Sequence, residues 1–207
     1  VDLTRRKIEL FWRDGSKQPF LSFDGLDKWL RGKGRKLLFA TNAGMFREDF
    51  APVGLYVEHR TKLRPLNLRD GSSNFCMKPN GVFAITDSGA KVVESSKYPR
   101  IKQETIFATQ SGPMLVIDGE IHPDFRAKSE SRLFRNGVGV ASPERVVVAI
   151  TEDPVNLYEF AALFRDRLQC PNALYLDGNI SSLYSAQLGR NDYRGDIGPI
   201  LAVTGEL

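Results

Sequence analysis

The stretch Arg145–Gly178, RVVVAITEDPVNLYEFAALFRDRLQCPNALYLDG, carries the pattern that decides the fold class. Its first part, Arg145–Ile150, is a nearly continuous apolar run, which predicts a strand covered on both faces. Asn156–Leu168 places its apolar residues on one helical face, and its first residue forms an Asn-x-x-Glu variant of the capping box with Glu159. Ala173–Leu176 then returns as a strand. Strand, helix and strand predict one crossover unit.

Outside this unit the sequence predicts mainly short strands and hairpins. Asp-Ser-Gly and Asp-Gly interrupt two β-branched runs, which is a hairpin signal, so Asp118 is expected to be a turn residue. A short helix is expected near Phe23–Leu30, with Ser22 as its N-cap. The other predicted elements are the strands Arg5–Trp12 and Lys36–Thr41 and the hairpins Val82–Val93 and Met114–His122.

Together these elements predict an α+β fold with a mixed, mainly antiparallel sheet and a few packed helices. A chain of 207 residues is long enough to bury one substantial core. We therefore expect residues 1–207 to form a single domain, with residues 1–35 as an N-terminal strand and helix that lead into it.

The charge balance favours anionic partners without naming one. Lys and Arg number 29 against 25 Asp and Glu, a net charge of +4. Nucleic acid is not expected as a partner, because no nucleic-acid motif accompanies the basic residues. No apolar run approaches the roughly 18 to 20 residues that span a bilayer, so a transmembrane chain is not expected. The densest basic cluster, which is either a solvated helix end or a phosphate-binding surface, comprises Lys28, Arg31, Lys33, Arg35 and Lys36.

Two features of the chain bear on its cellular compartment. Cys76 and Cys170 form one bridge in an oxidising compartment or remain two thiols, and two cysteines are too few to decide. The chain starts at Val1 rather than at Met, so we expect a trimmed or processed product from which a targeting segment has been removed.

The sequence offers little histidine-based chemistry. His59 and His122 are its two histidines, too few for a three-histidine metal site, and no motif marks either as the base of a serine triad. What remains is a set of polar, glycine-marked loops at predicted strand ends. Each loop alone is explained by turn chemistry, but together they suggest one shared cleft. The loops are Thr41–Phe46, Ala51–Tyr56, Lys78–Phe83, Ala108–Met114, Phe134–Val140 and Leu176–Tyr184.

Six blocks within these loops resemble the phosphodiester glycosidase family, and in particular its small, single-domain bacterial members. They follow in order over roughly four-fifths of the chain, which makes the set far more specific than any one block. The resemblance implies a hydrolase that cleaves a sugar-1-phosphodiester, an N-acetylglucosamine or cell-envelope glycan, at the sugar C1–O bond. It implies a periplasmic or otherwise extracytoplasmic location. We also expect a monomer that needs no cofactor, and no metal, because the sequence has no Asp-x-Asp-x-Asp-Gly calcium loop. The blocks are NAGMF, PVGLYVE, PNGVF, ATQSGPMLV, RNGVGV and ALYLDGNISSLY.

The family motifs fall on two predicted catalytic residues, Asp177 and Arg135. A carboxylate beside the anomeric carbon can stabilise the developing positive charge, form a covalent intermediate or activate water. A guanidinium can bind the phosphoryl oxygens in a fork, and a phosphodiester leaves readily without acid assistance. The predicted substrate-binding residues are Asn42, Gly44, Gln110, Ser111, Asn136, Gly178, Ser181 and Ser182.

Two departures from the family pattern keep alternatives open. Asn179 and Ile180 stand where the family more often has glycines, so the accepted sugar or leaving group is expected to differ. A non-catalytic binding module for an anionic envelope glycan is the main alternative. A hydrolase that uses Ser181 or Ser182 as nucleophile is a third reading, and helix N-capping explains both serines equally well. The candidates for a second carboxylate are Glu48, Asp49, Glu104, Glu130 and Asp196.

Overall fold

The two ends of the chain meet in one sheet of the computed structural model, which describes residues 1–207 except for the side chain of Asn179. The first and last strands pair antiparallel, with Phe11 opposite Ile200. The strands predicted at Arg5–Trp12 and Lys36–Thr41 both lie in this sheet. In spatial order, the strands of this first sheet are β1 (Ile8–Phe11), β15 (Ile200–Glu206), β2 (Arg35–Asn42), β13 (Leu183–Ser185) and β14 (Arg190–Asn191).

The second sheet contains the predicted crossover unit, and its strands in spatial order are β11 (Arg145–Ile150), β10 (Asn136–Ser142), β12 (Asn172–Tyr175), β8 (Met114–Ile117) and β9 (Glu120–Ile121). β11 and β12 both pair antiparallel with β10, so they run parallel to each other with one strand between them. β11 lies at the edge of the sheet, and Val147–Ile150 is only half-buried. The prediction that this strand is covered on both faces is therefore wrong.

The helix between these two strands starts at the predicted capping box. Helix α2 (Leu157–Ala162) follows Asn156, whose Oδ1 accepts the Glu159 N–H at 2.9 Å, while the Glu159 carboxylate accepts the Asn156 N–H at 3.0 Å. The winding continues as a π-helical turn over Leu163–Arg167. The start and length of the predicted helix are confirmed, and the wider last turn is a feature that the periodicity did not indicate.

The third sheet confirms the first predicted hairpin, which lies at Val82–Val93. Its strands in spatial order are β4 (Thr61–Arg64), β3 (Tyr56–Glu58), β7 (Thr105–Ser111), β5 (Gly81–Thr86) and β6 (Gly89–Glu94). The hairpin is β5–β6, and the one predicted at Met114–His122 is β8–β9 in the second sheet. Asp118 occupies the β8–β9 turn with φ of 49°, so its predicted role as a turn residue is confirmed.

The N-terminal helix α1 (Phe23–Arg31) covers one face of the first sheet. Ser22 caps it as predicted, because its Oγ accepts the Gly25 N–H at 3.1 Å. Leu26 and Leu30 on the buried side of the helix join a core cluster with side chains of β2 and β15. The segment before residue 35 is therefore packed onto the same sheet as the C-terminus.

One core cluster takes side chains from all three sheets, among them Leu10, Phe83 and Leu174. Every pairing between the strands described is antiparallel. The predicted single domain of mainly antiparallel strands with few helices is therefore what the structure has. It is richer in strand than an α+β label suggests, and it divides into three sheets instead of one.

The structure also answers two smaller questions. Cys76 and Cys170 are unpaired thiols, and burial raises the pKa of the Cys170 thiol to about 11. In the part of the chain that the structure describes, the helices are all too short or too polar to cross a membrane.

Candidate functional site

All three sheets reach one turn, Leu176–Gly178, which we call the Asp177 turn. β7 of the third sheet ends in Ser111, whose Oγ donates to the first carbonyl of the turn at 2.9 Å. β10 of the second sheet begins with Asn136, and β2 of the first sheet ends with Asn42. Because both asparagines bond the turn, residues distant in sequence converge on it from three directions.

The main chain of Asp177 is held by these two asparagine side chains. Asn136 Oδ1 accepts the Asp177 N–H at 3.0 Å, and Asn42 Nδ2 donates to the Asp177 carbonyl at 2.8 Å. Asn136 Nδ2 donates to Asn42 Oδ1 at 3.0 Å, so the two amides also fix each other. Asn136 is 0% and Asn42 1% exposed, whereas Asp177 is half-buried. A shift of the Asp177 backbone would leave buried polar groups without partners, so the carboxylate is carried on a rigid base.

Gly178 is required by close approach of its neighbours. A Cβ at this position would lie 2.1 Å from the Tyr175 hydroxyl oxygen and 2.5 Å from the Phe134 carbonyl oxygen. The Tyr175 hydroxyl accepts the Gly178 N–H at 2.9 Å. Gly44 is similarly enclosed, since its Cβ would lie 2.5 Å from the Gln110 carbonyl oxygen. Both predicted glycines therefore let backbone and side chains pack directly against the site.

Ser181 and Ser182 close a 3-10 turn over Gly178–Ile180, after which β13 begins, so the structure has no helix for them to cap. The Ser181 hydroxyl donates to the Gly178 carbonyl at 2.8 Å, and the Ser182 hydroxyl donates to the Ile180 carbonyl at 2.8 Å. Both serines are buried. The two serines therefore bond to the main chain of the turn and do not cap a helix. The side chain of Asn179 in this turn lies outside the described residues.

The serine-nucleophile reading finds no support in the described contacts. His59 lies exposed in the β3–β4 turn, with its ring against Phe107 at a centroid distance of 4.8 Å. His122 follows β9 and stacks on Phe125, and burial lowers its pKa. Neither histidine is a hydrogen-bond partner of a serine of the turn in the described part of the chain. A serine without a base is a weak nucleophile.

Arg135 lies beneath the Asp177 turn and is 1% exposed. Its Nε donates to the Val155 carbonyl at 3.0 Å and its Nη2 to the Ser131 carbonyl at 3.1 Å. The guanidinium carbon lies 5.4 Å from the centroid of the Tyr175 ring. Among the described residues, its Nη1 has no hydrogen-bond partner. This predicted catalytic residue therefore places a positive charge behind Tyr175 and Gly178, inside the fold rather than on an open surface.

The Tyr175 hydroxyl is held neutral by its surroundings. Burial raises its pKa, and the neighbouring Arg135 cation opposes this shift without cancelling it. A neutral phenol can accept the Gly178 N–H at the same time as it keeps its own proton. Tyr175 thus links the buried cation to the turn, although the sequence analysis did not single it out. Its place in the ALYLDG block, two residues before Asp177, is the signal that could have found it.

Gln110 is bonded entirely to the protein. Its Oε1 accepts the N–H groups of Leu55 and Asn67, each at 2.9 Å, and its Nε2 donates to the Asn67 carbonyl at 2.7 Å and the Ser95 hydroxyl at 3.0 Å. These four bonds use both donors and both acceptor lone pairs of the amide. The predicted sugar contact of Gln110 therefore has no donor or acceptor left, and we assign this residue to anchoring the loop around Asn67.

Of the five candidates for a second carboxylate, Glu104 is bound to Lys91 at 3.2 Å, whereas Asp196 accepts the Tyr193 hydroxyl at 2.8 Å in the loop that follows Arg190. A carboxylate outside that set, Asp192, does reach β13 directly after the turn, because its Oδ2 accepts the Leu183 N–H at 3.1 Å. Arg190 binds Asp192 at 2.7 Å and also contacts Glu152. The charge-dense stretch GRNDYRGD is the signal that could have drawn attention to this network.

A well-formed groove lies elsewhere in the described part of the chain. It encloses about 680 Å³ between the N-terminal segment, the β5–β6 turn and Phe107, and none of the predicted site residues lines it. Its size is in the range of small-molecule pockets. The site at the Asp177 turn is instead defined by strand ends from three sheets and by the hydrogen bonds that hold the main chain of the turn.

Comparison with known proteins identifies the family of the chain, and the matches include a bacterial relative and solved structures of similar fold. The phosphodiester glycosidase family matches residues 35–203, which confirms the resemblance carried by the six blocks. The chain is 32% identical over 184 residues to the uncharacterised protein YigE of Escherichia coli (strain K12), covering 89% of this chain and 72% of YigE.

Two of the matching solved structures illustrate the shared fold. The catalytic domain of zebrafish N-acetylglucosamine-1-phosphodiester alpha-N-acetylglucosaminidase, auto-inhibited by its pro-peptide, is similar with a TM-score of 0.69 at 16% identity, covering 96% of this chain and 73% of that one. A hypothetical protein from Synechocystis is similar with a TM-score of 0.61 at 13% identity, covering 96% of this chain and 56% of that one.

Proposed function

Because the chain belongs to the phosphodiester glycosidase family, we propose that it is a hydrolase that cleaves a glycosyl phosphodiester at the sugar C1–O bond, with Asp177 as the carboxylate at the reacting carbon. The observation that carries this proposal is the fixation of the Asp177 main chain by Asn136 and Asn42 from two different sheets. N-acetylglucosamine is the first sugar to test, because the zebrafish protein of similar fold is named for that substrate.

Asp177 suits the charge that develops during such a cleavage. Breaking the C1–O bond leaves positive charge on the sugar ring and negative charge on the departing phosphodiester oxygen. A carboxylate held in advance near the ring stabilises that cation without reorganising during the reaction. The same carboxylate can then bind the sugar covalently or activate a water molecule. A half-buried Asp177 on a rigid base meets the requirement for a fixed negative charge that a substrate can reach.

Asn42 and Asn136 act in this proposal as positioning residues. Their amides bond to Asp177, to each other and, through Asn42 Oδ1, to the Ser182 N–H at 3.0 Å. They are buried, so they set the place of the turn from behind. This assignment revises the prediction that both amides hold the sugar.

Arg135 supports the site from inside the fold. Its charge lies behind Tyr175 and Gly178, in surroundings where the field of a cation is weakly screened. A phosphate near the turn would be stabilised by that field. Arg135 therefore favours an anionic leaving group in this site.

The test is hydrolysis by the purified protein. We expect release of free sugar from an N-acetylglucosamine-1-phosphate methyl diester, and much slower release from the same sugar linked to an uncharged alkyl group. Product analysis by chromatography separates free sugar from sugar phosphate. Titration calorimetry with the same diester provides the second readout. Binding without any turnover over long incubation would replace the hydrolase with a glycan-binding module, and neither binding nor turnover with any glycosyl phosphodiester would remove the proposal.

A further inference from the structure

An exposed arginine beside the Asp177 turn has no role in the site described so far. The Arg194 guanidinium carbon lies 4.3 Å from the centroid of the Phe134 ring. The residue is exposed. Burial raises the pKa of nearby Asp192, but its bonds to Arg190 and to the Leu183 N–H, with a smaller contribution from the Arg194 charge, hold that pKa below its usual value. A guanidinium over an aromatic ring is attracted by the face of the ring and can still donate its N–H groups to another partner. Arg194 therefore presents a charge near Asp192 that, among the described residues, no carboxylate binds in a salt bridge.

The position of Arg194 connects it to the turn through two neighbours. The carbonyl oxygen of Phe134, on whose ring Arg194 stacks, lies 2.5 Å from where a Cβ of Gly178 would be. Gly195, the next residue in the chain, would place a Cβ 3.9 Å from the Ile180 side chain. The loop that carries Arg194 thus lies beside Ile180, two residues after Gly178, and Phe134 lies between Arg194 and Gly178.

A second arginine, Arg190, holds the base of this loop, and unlike Arg194 it forms salt bridges. Arg190 binds Asp192 at 2.7 Å and also contacts Glu152, so two carboxylates neutralise its charge. Asp192 in turn accepts the Leu183 N–H at 3.1 Å, which ties the loop to β13 directly after the turn. The network holds the loop in place, and Asp192 bonds to Arg190 and to the Leu183 N–H rather than forming a salt bridge with Arg194.

We propose that Arg194 binds the phosphate group on the leaving side of the substrate and so selects phosphodiesters over glycosides with neutral leaving groups. The proposal rests on the proposed function of the Asp177 turn. A stacked guanidinium matches two phosphoryl oxygens in a fork, which a lone ammonium does not. Arg135 acts on the same phosphate from the buried side of the turn, so the site holds an anionic group between an inner and an outer cation.

The test compares two substrates of one sugar: an N-acetylglucosamine-1-phosphate methyl diester and the neutral 4-nitrophenyl glycoside. The Arg194→Gln variant is expected to lose about 10- to 100-fold in kcat/KM with the diester, the worth of one charge-assisted hydrogen bond. It should keep its rate with the neutral glycoside. Arg194→Lys should recover only part of the loss, since it restores the charge but not the fork.

Lys33→Gln is the matched control. Lys33 is an exposed cation whose Nζ lies 4.8 Å from the centroid of the Trp29 ring, beyond the end of β2 opposite to Asn42. Its loss should leave both rates unchanged. Equal losses of the Arg194→Gln variant on both substrates, or no loss on either, would overturn the proposal.

The failure of the proposed function gives a different pattern. If the wild-type protein hydrolyses neither substrate, calorimetry with the diester decides the role of Arg194 alone. Weaker binding by Arg194→Gln than by wild type supports a phosphate contact. Equal binding, or no binding by wild type, contradicts it.

Discussion

The chain contains two Asp-Gly turns with nearly the same local sequence, LVIDGEI at Leu115–Ile121 and LYLDGNI at Leu174–Ile180. In both, an asparagine Oδ1 accepts the N–H of the aspartate at 3.0 Å: Asn172 for Asp118 and Asn136 for Asp177. The first turn joins β8 to β9 and is exposed, whereas the second lies where three sheets meet. Similar local sequence therefore produces a hairpin in one place and a candidate active site in the other.

Backbone geometry shows why the two turns differ. Asp118 and Gly119 have φ of 49° and 90°, the left-handed pair that closes a tight hairpin, and nothing lies within 4 Å of a Cβ on Gly119. Asp177 has φ of −135°, and a Cβ on Gly178 would meet Tyr175 at 2.1 Å. One glycine is needed for its conformation and the other for space. The comparison shows that the residues in contact with a turn, and not the sequence of the turn itself, determine its role.

The largest difference between the two turns is expected in the rate of diester hydrolysis when the aspartate of each turn is replaced. Asp177→Asn keeps the shape of the side chain and removes its charge, so hydrolysis of the diester should fall by about 100-fold or more. Asp118→Asn should leave the rate unchanged, because asparagine tolerates the left-handed conformation and keeps the acceptor for Asn172. Steady-state kinetics of both variants provide the comparison. Equal activity of the two would mean that Asp177 is a turn residue like Asp118.

The second contrast concerns the asparagines that hold the two turns. Asn136→Ala leaves the buried Asp177 N–H without its acceptor, at a cost of about 1–3 kcal/mol in the free energy of unfolding. The displaced carboxylate should lower kcat by about 10- to 100-fold. Asn172→Ala exposes the Asp118 N–H to water and should cost within about 0.5 kcal/mol. Urea unfolding and kinetics separate the two variants, and matching losses would show that burial around Asn136 plays no part.

The third contrast concerns the two glycines. Substitution of either one should lower the free energy of unfolding, but only substitution of Gly178 should lower kcat. Gly178→Ala forces its neighbours to shift and should cost about 1–3 kcal/mol in the free energy of unfolding, with about tenfold lower kcat. Gly119→Ala strains a left-handed residue by about 1–2 kcal/mol and should leave kcat unchanged. Thermal unfolding and kinetics on the folded protein test this pair. Normal kcat in Gly178→Ala would remove the link between the packing of the turn and its chemistry.

The smallest expected effect belongs to the cation behind the Asp177 turn. Arg135→Lys keeps the buried charge but loses part of the bonding to Val155 and Ser131, about 0.5–1.5 kcal/mol in the free energy of unfolding. A reduction of kcat by about 2- to 10-fold should follow. Arg132→Lys, in an exposed pair with Glu159, should change neither quantity by a measurable amount. A rate in Arg135→Lys equal to that of wild type would place Arg135 outside the catalytic unit.

Sequence reasoning succeeded where the deciding interactions are local. The Ser22 cap, the capping box at Asn156 and the β8–β9 hairpin all depend on residues within a few positions of one another. The ordered loop blocks identified the family, because the spacing of such blocks is visible along the chain.

Sequence reasoning failed where contacts between residues distant in the sequence determine the structure. The division into three sheets and the edge position of β11 depend on pairings across the chain. The roles of Asn136 and Asn42 depend on partners 41 and 135 residues away, and an asparagine in a glycine-marked loop suggests a sugar contact as readily as a buried support. The burial of Arg135 beneath Tyr175 is likewise a property of the assembled sheets.

The central claim is that the Asp177 turn cleaves the sugar C1–O bond, and oxygen-18 labelling tests it most directly. Hydrolysis of the N-acetylglucosamine-1-phosphate diester in labelled water, followed by mass spectrometry of both products, shows which bond breaks. We expect the label in the free sugar and none in the released phosphate ester. Label in the phosphate, with sugar-1-phosphate as the product, would contradict the claim and make the protein a phosphodiesterase.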